Sequence, residues 1–191
     1  MDIQLFDKLM EQGPDQHPPE WRMFLEFCEM YLKKHEIESP IVVELGTWEN
    51  KQKKFYEQLL GARHIGIDLR RGTPDILGDA HDPKTMEILK GMLGGKPINI
   101  LFIDTWHYYE QVKKDYEMYS PLCADIIAFH DIETCRQEND EKRMVWKFWD
   151  ELKMKIYKGE EGYENFMTLS IHQYKDTGNG RQMGIGVIIK G

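Results

Sequence analysis

Apolar residues follow two rhythms along this chain. In the first forty positions they recur every three or four residues: Ile3, Leu5-Phe6 and Leu9-Met10, then Trp21, Phe24-Leu25, Cys28 and Tyr31-Leu32. That spacing predicts two amphipathic helices, over about 3–11 and 19–35. Gly13-Pro14 and Pro18-Pro19 separate them, and Pro19 suits a helix start, where its missing N–H costs nothing. From residue 40 short apolar runs take over, at 40–45, 63–67, 97–103 and 123–129, with a shorter one at 75–77. Unbroken runs of this length are expected of strands buried on both faces. Helical spacing returns between them at about 50–60, 83–93 and 107–119, with stops at Gly61 and Gly94-Gly95. A further helix is predicted from Met144 through Leu152. Residues 165–172 and 184–189 then read as strands around the turn signal Thr177-Gly178-Asn179-Gly180.

Alternating strands and helices predict an α/β fold with a mostly parallel sheet, closed by an antiparallel C-terminal hairpin. One link is irregular. Only Leu69 to Pro74 join the second run to the third, whereas a crossover helix takes about a dozen residues or more. The third strand is therefore either short and joined by a compressed loop, or outside the sheet. The expected organisation is an N-terminal helical cap over 1–38 and one compact domain over 39–191. The charged stretch Glu133 to Arg143 reads as a loop or lid.

The polar residues that end the runs carry the chemistry. The first, second, fourth and fifth strands end in Glu44, Asp68, Asp104 and Asp131, and the third ends near Asp79. A lone acid at a strand end often caps the next helix. A succession of them along one edge of a parallel sheet points to a ligand site there, because open α/β sheets bind ligands at the carboxyl ends of their strands. Asp68, about 20 residues past the first turn, is placed to accept hydrogen bonds from ribose hydroxyls. Gly46 permits close approach to backbone. Asp104 and Asp131 with His130 fit either a divalent cation held by hard oxygens and one imidazole, or a metal-free acid–histidine pair. His107, expected at a helix start, is a candidate general base or a plain helix-terminus histidine. After Gly46 the chain runs Thr47-Trp48-Glu49-Asn50-Lys51 without another glycine. That argues against a dinucleotide dehydrogenase, whose pyrophosphate needs a glycine-rich turn.

Composition narrows the rest. The 191 residues carry a net charge of -8, which disfavours nucleic acid or an anionic membrane as partner. Basic groups are scattered; Arg70-Arg71 is the pair best suited to an acidic ligand. Three cysteines without a CxxC spacing suit neither a disulfide framework nor zinc, and a reducing cytoplasm is the expected setting. Neither a signal peptide nor an apolar run of roughly 20 residues is seen.

These residues carry a resemblance. Val42-Val43-Glu44-Leu45-Gly46-Thr47 resembles motif I of class I S-adenosylmethionine (SAM)-dependent methyltransferases, Gly66-Ile67-Asp68 their ribose-binding strand end, and Gly78-Asp79-Ala80-His81 their adenine segment. Leu101 to Asp115, followed by Tyr119 to Leu122 and Ile127 to Ile132, is similar to a bacterial subgroup of cephalosporin-hydroxylase-like and small-molecule O-methyltransferase-like proteins. The resemblance implies a Rossmann-like seven-stranded sheet with a reversed last strand. It implies SAM held by Glu44, Gly46, Thr47, Asp68, Leu69, Asp79, Ala80, His81 and Asp104. It also implies a Mg²⁺-type ion at the positions of Asp104, His130 and Asp131, although His130 stands where some relatives have an acid. The implied activity is methyl transfer to a small molecule at a hydroxyl, with His107 and His130 as catalytic residues and a metal-assisted variant open. Trp106, Tyr108, Tyr109, Trp146 and Trp149 are candidate substrate walls. The alternatives are an inactive SAM- or nucleoside-binding protein and a metal-dependent enzyme of another class; a homo-oligomer is left open. Asn50-Lys51 stand where the family loop usually has a second glycine, so a narrower methionine end is expected.

Overall fold

The structure, a computed structural model, describes residues 1–70, 72–136, 144–173 and 183–191. Arg71, the end of the charged stretch and the turn expected at 177–180 lie outside the described residues.

The chain runs α1 (Ile3–Met10), α2 (Pro18–Lys34), β1 (Ile41–Leu45), α3 (Lys53–Leu59), β2 (Arg63–Asp68), β3 (Ile76–Leu77), α4 (Pro83–Leu93), β4 (Ile98–Ile103), α5 (Tyr109–Tyr119), β5 (Cys123–His130), α6 (Val145–Lys158), β6 (Met167–Ile171) and β7 (Ile185–Ile189). Among the described residues the strands form one seven-stranded sheet in the order β3-β2-β1-β4-β5-β7-β6. Strands β1 to β5 are parallel and β7 runs antiparallel to both β5 and β6. The compressed link is real: β3 joins the sheet, pairing Ile67 with Ile76 and Asp68 with Leu77.

Side chains alternate across a strand, so each apolar run feeds two cores. Ile41, Val43 and Leu45 of β1, with Leu101, Ile103, Ile127 and Phe129, pack under Leu89, Tyr116, Phe148 and Trp149 of α4, α5 and α6. Val42, Ile100, Phe102, Ile126 and Ala128 pack on the opposite face under Trp21, Phe24, Leu25 and Phe55 of α2 and α3, joined by Phe6 and Leu9 of α1. Both N-terminal helices therefore share a core with the sheet. Fully buried β1 has hydrophobic cover on both sides, which is why its sequence shows no polar alternation until Glu44.

Some boundaries differ from the sequence reading, each for a local reason. Helix α3 starts at Lys53 because Trp48 and Asn50 both take left-handed backbone conformations, with φ of 50° and 56°. Helix α5 starts at Tyr109, so His107 lies in the preceding loop instead of at a helix start. Helix α6 runs past Leu152 to Lys158 and stops at left-handed Gly159.

Candidate functional site

The carboxyl ends of β1 to β5 open into a cavity of about 450 Å³. Its wall is rich in carboxylates: Asp15, Asp68, Asp79, Asp104 and Asp115 line it, with Arg70 as the guanidinium and His81, His107 and His130 as imidazoles. Gly46 forms the floor at the β1 tip. Its φ is 82°, and a Cβ there would run into the backbone carbonyl of Asp104, so only glycine fits. The Gly46 N–H donates to the Ile67 carbonyl at 2.9 Å, and the Asp104 N–H to the Leu45 carbonyl at 2.8 Å, which draws the β1, β2 and β4 tips together.

Asp68 organises the next side. Its Oδ2 accepts from the Trp48 N–H and its Oδ1 from the Arg70 N–H, both at 2.8 Å. One carboxylate thus ties the loop after β1 to the loop after β2, and each oxygen keeps a lone pair for a ligand. Arg70 lies 4.1 Å over the Trp48 ring, and Leu69 is exposed at the rim. Asn50 turns away from the cavity, donating from Nδ2 to the Thr73 carbonyl at 2.6 Å, and Lys51 bonds the Gly13 carbonyl. Neither lines the cavity, so the residues that stand in place of the expected glycine do not narrow it.

At the β4 and β5 tips lies an acid–imidazole network. His130 Nδ1 is 3.1 Å from Asp104 Oδ1, and Gln16 Nε2 donates to Asp104 Oδ2 at 3.3 Å. His107 Nε2 sits between two acids, 3.1 Å from Asp131 Oδ2 and 3.5 Å from Asp104 Oδ1. Both are ion-pair separations without hydrogen-bond alignment. Asp131 has φ of 61° and accepts from the Thr134 hydroxyl at 2.7 Å. Burial opposes the charge on Asp104, yet His130 and His107 outweigh it and hold that carboxyl well below the usual range. Burial likewise opposes a charged His107, but Asp104 and Asp131 outweigh it and raise the imidazole's pKa.

Helix α5 supplies a further anchor. Asp115 is fully buried, with Oδ1 2.9 Å from His81 Nε2 and Oδ2 accepting from the Thr105 hydroxyl. Burial pushes its carboxyl up, and the Thr105 and His81 bonds pull it back. Tyr119 donates to the Ala80 carbonyl at 2.7 Å. The segment from Asp79 to His81 is thereby fixed from below.

No family model matches the chain, and no curated protein matches it. Solved structures do. MycE, a methyltransferase of the mycinamycin biosynthetic pathway, in complex with Mg, S-adenosylhomocysteine (SAH) and mycinamycin VI, aligns with a TM-score of 0.67 at 12% identity. The alignment covers 97% of this chain and 54% of MycE, so this chain spans about half of MycE's length. The O-methyltransferase TomG of Streptomyces achromogenes, involved in tomaymycin synthesis and bound to SAM, aligns at 0.58 and 12% identity over 99% of this chain and 89% of its own. An O-methyltransferase of Bacillus cereus with SAH aligns at 0.53 and 11% identity, covering 97% and 90%. The fold is the Rossmann-like methyltransferase fold.

Within that fold the residues singled out in the sequence separate into groups. Gly46, Asp68, Leu69, Asp79, Ala80, His81, Asp104, His107 and His130 line the cavity. Glu44 and Thr47 do not, and both are fully buried. Glu44 shares the parity of Val42, so it points toward α2 and α3, where Oε2 lies 2.8 Å from His64 Nε2. Burial pushes the Glu44 carboxyl up, while the nearby Asp75 carboxylate and the contact with Glu44 raise His64 against its own burial. Asp104, His130 and Asp131 are brought together, but as the network just described. Among the described residues no group of three or more His, Cys, Asp or Glu is arranged to hold a metal ion. Within the network His107 Nε2 and His130 Nδ1 both face carboxylate oxygens. Of the aromatic candidates, Trp106 and Tyr108 line the cavity and stack on each other at an interplanar angle of 14°. Trp149 is core, Tyr109 packs edge-on against Phe148, and Trp146 is absent from the wall. Asp15, Gln16, Trp48 and Asp115 are site residues that spacing did not reveal.

Proposed function

We propose that this chain is a SAM-dependent methyltransferase that acts on a hydroxyl of a small molecule. The observation that carries the reading is the wall of the cavity. Asp68 keeps acceptor capacity at the β2 tip, where a ribose would sit. Asp79 and Ala80 border the β3 side, and Gly46 leaves backbone open at the β1 tip. Carboxylates dominate, which favours a ligand carrying sulfonium and ammonium charges over one carrying phosphates. These features fit SAM, with Gly46, Asp68, Leu69, Asp79, Ala80, His81 and Asp104 as the residues that would hold it. When bound, SAM supplies a methyl group already activated as a sulfonium.

What remains for the protein is to align an acceptor, exclude water and move one proton. His107 is suited to the proton. Its Nε2 lies beside Asp104 and Asp131, so Nδ1 is the nitrogen proposed to take a proton from the acceptor hydroxyl, while the two acids stabilise the imidazolium formed. Asp131 is a positioning residue, fixed by Thr134. Trp106 and Tyr108, both substantially exposed at the cavity, offer a flat wall to the acceptor. The proposed proton transfer uses His107 with Asp104 and Asp131 and calls on no metal.

The test is incubation with SAM and a panel of small hydroxyl compounds, following release of SAH. Acceptor-dependent release that persists in excess EDTA is expected. No release with any acceptor, in a protein that binds SAH, would overturn the catalytic reading. Loss of release in EDTA with recovery on adding Mg²⁺ would overturn the metal-free mechanism.

A further inference from the structure

We infer that Gln16, in the loop between α1 and α2, positions the Asp104 carboxylate for the charged arm of the cofactor, so that the N-terminal helices help to build the ligand site. The inference rests on the cofactor reading above and adds to it a residue from outside the strand tips. The sheet order β3-β2-β1-β4 decides where that arm falls. Asp79 and Ala80 border the β3 side, and Asp68 stands at the β2 tip for the ribose. The amino-acid arm of SAM or SAH then passes Gly46 and reaches Asp104, the residue that follows β4. Its ammonium group pairs best with a carboxylate there.

A carboxylate turns easily about the bond that carries it, and its two oxygens are chemically alike. Asp104 therefore needs partners to hold one pose. Its Oδ1 lies 3.1 Å from His130 Nδ1 and 3.5 Å from His107 Nε2. Its Oδ2 accepts from Gln16 Nε2 at 3.3 Å, across 88 positions of sequence. Gln16 is buried and its loop is pinned on several sides. The Gly13 N–H donates to the Met10 carbonyl at 3.0 Å and the Gln16 N–H to the Pro14 carbonyl at 2.8 Å. Lys51 bonds the Gly13 carbonyl at 3.2 Å, and Lys54 bonds Gln12 Oε1 at 2.9 Å. Beyond the loop, Trp21 of α2 packs edge-on against Phe102 of β4, with ring centroids 5.5 Å apart, two residues before Asp104. Donor and carboxylate thus stand on elements locked to each other. The Gln16 amide also keeps Oε1 buried without a hydrogen-bond partner, a cost that a donor arriving with a ligand would remove.

The full chain and Gln16→Leu are titrated calorimetrically with SAH and with 5′-methylthioadenosine, which keeps the nucleoside and the thioether but lacks the amino-acid arm. Gln16→Leu is expected to weaken SAH about tenfold, the scale of one hydrogen bond to a charged group, and to leave methylthioadenosine within about twofold. Gln16→Glu sets carboxylate against carboxylate and should weaken SAH further, again sparing methylthioadenosine. In an Asp104→Ala background, Gln16→Leu should change SAH affinity by no more than about twofold, because the group it acts through is gone. A role confined to the fold would move both ligands together and would persist without Asp104. Equal losses for the two ligands, failure of both Gln16 variants to fold, an unchanged SAH affinity in Gln16→Leu, or the full loss in the Asp104→Ala background overturns this inference alone. Binding of neither ligand by the unaltered chain overturns the cofactor reading and this inference with it.

Discussion

At the scale of single residues, the loop after β1 keeps a shape that glycine usually provides, without glycine. Trp48 and Asn50 sit in the left-handed region, where asparagine is tolerated and tryptophan is strained. Asn50 is held there by its bond to Thr73, and Trp48 by Asp68 and the Arg70 stack. Asn50→Ala should therefore cost about 2 kcal/mol in denaturant unfolding, from strain and the lost bond together. Asn50→Gly should cost less, because glycine meets no strain; an equal cost would show that the backbone conformation is unimportant. His107 gives a pH prediction. Its folded pKa is raised, so the imidazole is charged and unable to accept a proton until the pH passes that raised value. Turnover should rise with pH along a limb centred above the ordinary histidine range, and His107→Ala should lower it roughly 100-fold or more. A flat profile or a limb below that range contradicts the role.

At the scale of elements, the apolar runs showed the parallel strands because burial on both faces leaves little room for polar residues. The same logic revealed the acids, which mark where each run stops. Two things were not legible. The length of the loop before β3 left its membership of the sheet open, and only pairing with β2 decides it. The direction of Glu44 depends on strand parity: one residue along from cavity-forming Gly46's neighbour, it faces α2 and α3 and meets His64. Gly46 illustrates how tightly the tips are drawn together. Gly46→Ala must move the Asp104 carbonyl or the β1 backbone, and should cost about 3 kcal/mol in unfolding while abolishing SAH binding. A native melting temperature in that variant would mean the tips have slack.

At the scale of the whole molecule, the contacts that the sequence hid are those between distant segments. Gln16 reaches Asp104 from the N-terminal loop, and Asp115 reaches His81 and Thr105 from α5. Neither residue stands in a recognisable spacing; each looks like an ordinary polar residue of a helix or loop until the fold is known. Glu20 is another case. It is buried in α2 and accepts from the Gln173 N–H at 2.7 Å and the Gly184 N–H at 2.9 Å, joining the first part of the chain to the C-terminal hairpin. Glu20→Ala strands both amides and should lower stability by about 3 kcal/mol, read as a drop in thermal midpoint. An unchanged midpoint would show that the hairpin does not depend on α2.

The cavity at the carboxyl edge of the sheet, and the carboxylates that shape it, are the centre of the account. Calorimetric titration of SAH into the unaltered chain and into Asp68→Ala tests it most directly. One-site binding to the first and an affinity at least about tenfold weaker in the second are predicted, since Asp68 orders the two loops and, in the proposed function, would accept from the ribose. Absence of heat with the unaltered chain at millimolar SAH, or equal affinity in the two proteins, would contradict it.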